Sequence, residues 1–225
     1  MSTQSIVIAV DGPAASGKST VSKMVARKLG YNHVDTGAMY RSVAWKAIES
    51  GVNVENADAL VAMLKKTKIT FEVQDGSVRM LLDGVFPGEA VREPRVADKV
   101  SIVAAIPEVR RILVEHQRSL ASLGNVVMEG RDIGSVVYPD TLYKFFIQAD
   151  PAIRAQRRQK DLAALNIQSS QDAVAQNLQT RDRIDSQRAA SPLQMAPGAT
   201  LIDTSLTTAE ECTEIVMGHL RKNLK

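Results

Sequence analysis

Cysteine is almost absent from this chain. Cys212 is the only one in 225 residues, so no disulfide can close within the chain, and no cysteine-held zinc site is expected. Histidine is scarce too. His33, His116 and His219 lie far apart without ligand spacing, and each is expected to be structural or exposed rather than a metal ligand. There is no apolar run of 18 residues, which excludes a spanning helix of the usual kind. The N-terminus lacks the charged and apolar regions of a signal peptide, so a cytoplasmic protein is expected. Excess charge is lacking as well. A net charge of +3, without interleaved basic and aromatic residues, argues against a nucleic-acid partner. Internal repeats and low-complexity segments are missing. What remains is 44% hydrophobic and 24% charged, an ordinary globular composition that suits one main domain with an inserted subdomain.

The stretch Gly12-Pro13-Ala14-Ala15-Ser16-Gly17-Lys18-Ser19 fits the phosphate-binding loop pattern G-x-x-x-x-G-K-[ST]. Its surroundings agree. Ile6 to Val10 is an apolar, β-branched run that reads as a strand buried on both faces, and Val21, Met24, Val25 and Leu29 follow at helical spacing before Gly30. Gly12 and Gly17 let the backbone curl so that N–H groups converge, and the next helix adds its positive end. Lys18 is expected on the β- and γ-phosphates, Ser19 on Mg²⁺, and Thr20 near the α-phosphate. The motif implies a nucleoside triphosphate without saying what becomes of it.

Five short apolar strands, 6–10, 32–35, 126–129, 143–147 and 200–203, alternate with helices. That pattern predicts an α/β protein with a five-stranded parallel sheet covered on both faces. Between them, runs at 69–73, 78–82 and 85–86, separated by Asp75-Gly76 and Asp83-Gly84, predict an antiparallel meander inserted at roughly 60–100. A helix is expected over 95–105, and another from Pro107 to Leu123 with Val109, Ile112, Leu113, His116 and Leu120 inward and Arg110 elsewhere. Further helices follow Asp150-Pro151 and the polar break 166–170, and the last spans 207–222 with Cys212, Ile215, Val216 and Leu220 inside.

Charge collects at strand ends and helix starts. Glu129-Gly130-Arg131-Asp132 ends an apolar strand, where ligands bind in open parallel sheets. Arg41 sits in the first turn of a helix, against the dipole, and serves either an anion or a solvated surface. Arg154, Arg157 and Arg158 cluster on one helix. Arg181, Asp185 and Arg188 share one face of the next, which read alone is a salt-bridged exposed face. If these arginines converge opposite the loop, they form the cleft that phosphoryl transfer between two anions requires. An acceptor phosphate oxygen is already ionised and needs no general base.

The motifs Asp11-Gly12-Pro13 with Gly17-Lys18-Ser19, Asp35-Thr36-Gly37-Ala38-Met39-Tyr40-Arg41, Gly130-Arg131-Asp132-Ile133-Gly134 and Arg181-Asp182-Arg183-Ile184-Asp185 resemble those of the bacterial cytidylate (CMP) kinases, over nearly the whole chain. The resemblance implies a P-loop NTPase fold with a small antiparallel β insert in the NMP-binding region and a helical lid. It implies one kinase domain over 1–225, with core 1–59, 101–150 and 190–225, insert 60–100, and lid with its following helix 151–189. It implies Mg²⁺-dependent transfer from ATP to CMP or dCMP by a monomer. Residues 12–20 and Arg157 would hold ATP, and Lys18, Arg131, Arg158 and Arg188 would stabilise transfer. Arg41, Arg131 and Arg188 would grip the acceptor phosphate. Ser101, Arg110 and Asp185 would read cytosine, and Asp132 and Arg181 would meet the sugar with Thr36 nearby. The chain departs from the family pattern at Thr36 (often Ser), Ser135 (often Thr) and Glu129 (often Asp). Acceptors such as UMP, AMP or shikimate, and a nucleotide switch without transfer, stand as alternatives. The guanine signature N-K-x-D and the transporter signature L-S-G-G-Q are both missing.

Overall fold

In the computed structural model, which describes residues 5–164 and 167–223, strand β1 (Val7–Asp11) is buried along its whole length. Its side chains alternate between two cores. Val7 and Ala9 enter one, and Ile8 and Val10 enter the other. The glycine loop follows, then helix α1 (Lys18–Leu29), closed by Gly30 in a left-handed conformation. Strand β2 (Asn32–Asp35) leads into α2 (Thr36–Glu49), whose N-terminus is capped by the Asp35 carboxylate accepting from the Ala38 N–H. Next come α3 (Ala57–Lys66) and the hairpin β3 (Ile69–Gln74) and β4 (Ser77–Leu82). Both residues of its Asp75-Gly76 turn have positive φ, as a tight two-residue hairpin demands.

Two short helices, α4 (Pro94–Ala97) and α5 (Val100–Ala105), stand where one was expected over 95–105. The Lys99 N–H reaches back only three residues, to Val96 O, and the tightened turn breaks the rod. Helix α6 (Pro107–Ser119) ends in a 3₁₀ turn, Leu120–Leu123. Strand β5 (Val126–Gly130) follows, then a π-helical turn at Ile133–Val137, β6 (Tyr143–Gln148), α7 (Pro151–Ala164), α8 (Gln171–Gln187), β7 (Thr200–Asp203) and α9 (Ala209–Asn223). Asn166, where the expected polar break opens, lies outside the described residues.

The sheet has seven strands in the order β3-β4-β2-β5-β1-β6-β7. The five expected strands are present, and β2, β5, β1, β6 and β7 pair in parallel. The insert corrects the expected count, because it extends this sheet instead of forming its own. β4 lies parallel to β2, bridged at His33 and Ser77, and covers an edge that would otherwise expose unpaired backbone. Val85 makes one bridge to Leu82 and no third meander strand.

One core packs α2, α3, α5, α6 and the hairpin against the sheet, and the other packs α1 and α9 against the opposite face. A third, small cluster joins Ala155, Leu162, Val174 and Leu178 of α7 and α8 to Ala14 of the loop. Three side chains depart from the expected stripes. Arg110 is buried on α6 together with Gln117, and Ile215 on α9 is half exposed.

Candidate active site

The loop's shape follows from its backbone. At Gly12 φ is +151°, and a Cβ there would stand 2.0 Å from Ile147 O, so only glycine passes beneath β6. Buried Lys18 donates to Pro13 O at 2.8 Å. Burial, with Arg131 nearby, pulls its pKa down to about 7. Such an ammonium gains strongly from a polyanion. Thr204, just after β7, donates to Ser16 O at 2.8 Å, while Arg157 donates to Thr204 Oγ1 and to its carbonyl at 2.8 and 2.6 Å. Arg154 ties Asp182 at 2.7 Å and Ala14 O at 3.3 Å. Helices α7 and α8 are thus fastened to the loop by arginines as well as by their apolar cluster.

A cleft of about 930 Å³ opens in front of the loop. It brings together every residue singled out from the sequence as a site residue except Gly12 and Pro13, which form the loop's first turn. Ala14 to Thr20 line one side. Thr36, Arg41, Ser101, Arg110, Arg131, Asp132, Arg181, Asp185 and Arg188 line the other, and Arg157 and Arg158 overhang from α7. Arg154 does not line the cleft; it serves the ties just described. Ten basic and five acidic side chains line this space, so the positive charge of a nearly neutral chain is gathered here.

The acceptor side is an interlocked ion-pair network. Arg110 donates to Asp132 and to Ala104 O, and lies 5.3 Å from the centre of the Tyr40 ring. Arg131 Nε donates to Asp185 at 3.0 Å. Arg188 lies 3.7 Å from Asp185 and 3.9 Å from Asp132, and donates to Ser191 O at 2.7 Å. Asp185 and Arg188 are buried, which sets aside the exposed salt-bridged face. Crowding shows in their energetics. Burial, aided by Arg131, lowers Arg181 to about 10, and burial lowers Arg158 and Arg188 as well. Arg41 pairs with Asp35 at 2.8 Å. Burial works to raise the Asp35 pKa, but Arg41 and the Ala38 N–H overcome it and hold it far below the ordinary value. Among the described residues, Arg41 Nε, Arg181 Nε and Arg188 Nη2 are buried without a hydrogen-bond partner. Buried donors of this kind await an acceptor.

The sequence alone assigns Asp11 and Tyr40 no role of their own, and marks Glu129 only as a charge closing an apolar strand and a departure from the family pattern. Asp11, at the end of β1, accepts from the Ile133 and Gly134 N–H groups, both at 2.8 Å, and so fixes the turn that follows Arg131 and Asp132. Glu129 accepts from Ser19 Oγ at 2.6 Å and pairs with His33 at 3.0 Å. Tyr40 carries Arg110. Charged residues closing an apolar strand were the available signal for Asp11 and Glu129, whereas nothing in the local sequence marks His33.

The chain resembles known proteins along almost its full length. A family model described as cytidylate kinase matches residues 8–222. A cytidylate kinase of Caldanaerobacter subterraneus subsp. tengcongensis is 44% identical over 98% of this chain and 96% of that protein. One of Pelotomaculum thermopropionicum is 44% identical over 95% of each, and one of Bacillus thuringiensis is 42% identical over 95% of each. Among solved structures, an uncharacterized protein of Eubacterium ventriosum aligns over 97% of this chain and 99% of that one, with a TM-score of 0.54 at 10% identity, a likeness of fold alone. A family model spanning the glycine loop, the arginine cleft and the last helix, together with relatives above 40% identity, places the chain in the cytidylate kinase family.

Proposed function

We propose that this enzyme transfers the γ-phosphoryl group of ATP to the phosphate of CMP or dCMP, giving ADP and CDP or dCDP. The observation that carries the reading is the single cleft in which the phosphate-binding loop faces a cluster of buried, incompletely partnered arginines. An acceptor phosphate oxygen attacks the γ-phosphorus as the bond to the β-phosphate oxygen breaks. Lys18 follows charge on the β- and γ-phosphates. Arg131, Arg158 and Arg188 spread the charge on the moving group, and Arg41 and Arg188 hold the acceptor phosphate. Asp132, Arg181 and Thr36 meet the sugar.

The base assignment rests on hydrogen-bond polarity. Cytosine offers an amino donor at N4 and acceptors at N3 and O2. Asp185 accepts from the amino group, Arg110 donates to the acceptors, and Ser101 completes the set. Uracil presents an oxygen where the amino group stands, and a carboxylate repels it. The pairs Arg131–Asp185 and Arg110–Asp132 hold these groups in place and must yield when the nucleotide arrives.

Ser19 Oγ supplies an oxygen donor that a hard cation prefers beside the phosphates, while its proton is held by Glu129 Oε2 at 2.6 Å. Bound there, Mg²⁺ would offset charge on the β- and γ-phosphates. Segment 151–189 comprises a lid, whose closure excludes water, and its following helix, around core 1–59, 101–150 and 190–225, with 60–100 as the acceptor-side insert. The protein works on small molecules, as a cytoplasmic monomer, with neither nucleic acid nor membrane as partner. Among the described residues no helix is long and apolar enough to cross a membrane.

ADP formation from Mg-ATP, with CMP, dCMP, UMP, AMP, GMP and shikimate offered separately, tests this. Turnover confined to CMP and dCMP supports it. Turnover with another acceptor discards the roles of Ser101, Arg110 and Asp185. ATP binding without turnover leaves a nucleotide switch.

A further inference from the structure

We propose that His33 is a positioning residue for the metal side of the transfer site, acting through Glu129 on Ser19. His33 and Glu129 sit on adjacent parallel strands, β2 and β5, on the face that carries α1. They are 4% and 2% exposed, respectively. A carboxylate only accepts hydrogen bonds, so Nε2–H of His33 donates to Oε1, at 3.0 Å. The other oxygen, Oε2, accepts the Ser19 hydroxyl proton at 2.6 Å. With both oxygens held, the carboxylate has one orientation. The serine proton then points at Glu129 and leaves a lone pair on Oγ free for a cation.

The histidine is itself anchored from outside. Its backbone N–H donates to Gly76 O at 2.8 Å, and it pairs with Ser77, the contact through which the inserted hairpin joins the core sheet. Without the imidazole, Oε1 would be a buried carboxylate oxygen with no donor, and the side chain would turn. Ser19 would lose its fixed direction. Outer-shell partners of this kind orient the ligand and tune metal affinity, and their loss typically costs about 10–100-fold.

This inference rests on Mg-ATP seated at Ser19, so the experiment separates the two. The dissociation constant of ATP is measured by calorimetry with MgCl₂ and with EDTA, for wild type, His33→Leu and His33→Gln, alongside that of CMP. Wild type gains affinity from Mg²⁺. His33→Leu is expected to lose about tenfold of that gain, with ATP in EDTA and CMP unchanged within about twofold. His33→Gln, whose amide nitrogen can reach the position of Nε2, recovers most of it. An equal Mg²⁺ gain in all three proteins overturns the role of His33. So does an equal loss with and without Mg²⁺, which marks a structural defect. A wild type indifferent to Mg²⁺ removes the metal reading beneath it. Should His33→Leu fail to fold, the ¹⁵N signal of His33 Nε2 in wild type decides. It is expected to move when Mg²⁺ joins the ATP complex but not with ATP in EDTA, and an unmoved signal overturns the proposal.

Discussion

Replacing Asp185 by Asn keeps the shape of the side chain and removes its charge. The carboxylate has two tasks in the structure. It holds Arg131 at 3.0 Å and Arg188 at 3.7 Å, and it faces the cleft where the acceptor base is proposed to lie. Slackening the two arginines lowers turnover for every acceptor alike, so that effect cancels in a ratio. The base effect does not cancel. A hydrogen bond from the cytosine amino group to a charged acceptor contributes roughly 1.5–3 kcal/mol, which is about 10–150-fold in kcat/KM. For uracil the sign reverses, because the Asn amide can donate to O4 where Asp repelled it. The ratio of kcat/KM for CMP over UMP should therefore fall by about two orders of magnitude, while the KM for ATP stays nearly constant. Steady-state rates from a coupled ADP assay give all three quantities. Parallel losses for CMP and UMP would refute the base-reading role and leave Asp185 only as the clamp on two arginines.

The strand–loop–helix frame was legible because its signals are local. A buried five-residue strand, the Gly12 to Ser19 loop pattern and a helix closed by Gly30 are each written within a few positions. The hairpin turns were legible for the same reason, since Asp-Gly pairs satisfy a positive-φ requirement that most residues resist. The destination of the hairpin was not. Its attachment to β2 at His33 and Ser77 joins positions 44 residues apart and leaves no periodic trace. The burial of Arg110 eluded the pattern on α6 because a buried guanidinium depends on distant partners, Asp132 and the Tyr40 ring. Glu129 stood out as a charge closing an apolar strand, but its bond to Ser19 spans 110 positions and shows only in the folded chain.

The other expectations concern charge as well. Lys18→Ala should reduce transfer by roughly 10²–10³-fold or more without lowering the unfolding midpoint, because a buried ammonium contributes little to stability; a large drop in the midpoint in thermal melts would contradict this. Arg131→Ala should lower kcat by a similar factor with little change in the KM for CMP, and a rise in that KM alone would place the guanidinium on the ground state. Asp11 gives a pH test of how the Arg131–Asp132 turn is held. Its burial outweighs the Ile133 and Gly134 N–H bonds and raises its pKa from 3.8 to about 6. The folded state therefore keeps a proton that the unfolded chain releases, and the stability this gives is complete below pH 3.8 and lost as pH rises through about 6. The Asp11→Asn variant lacks that titration, and its amide can satisfy only one of the two N–H groups. Its stability deficit against wild type should shrink by on the order of 3 kcal/mol between acid and neutral pH. Urea unfolding of both proteins across that range measures the difference, and a deficit that does not vary with pH would show that Asp11 carries no such proton.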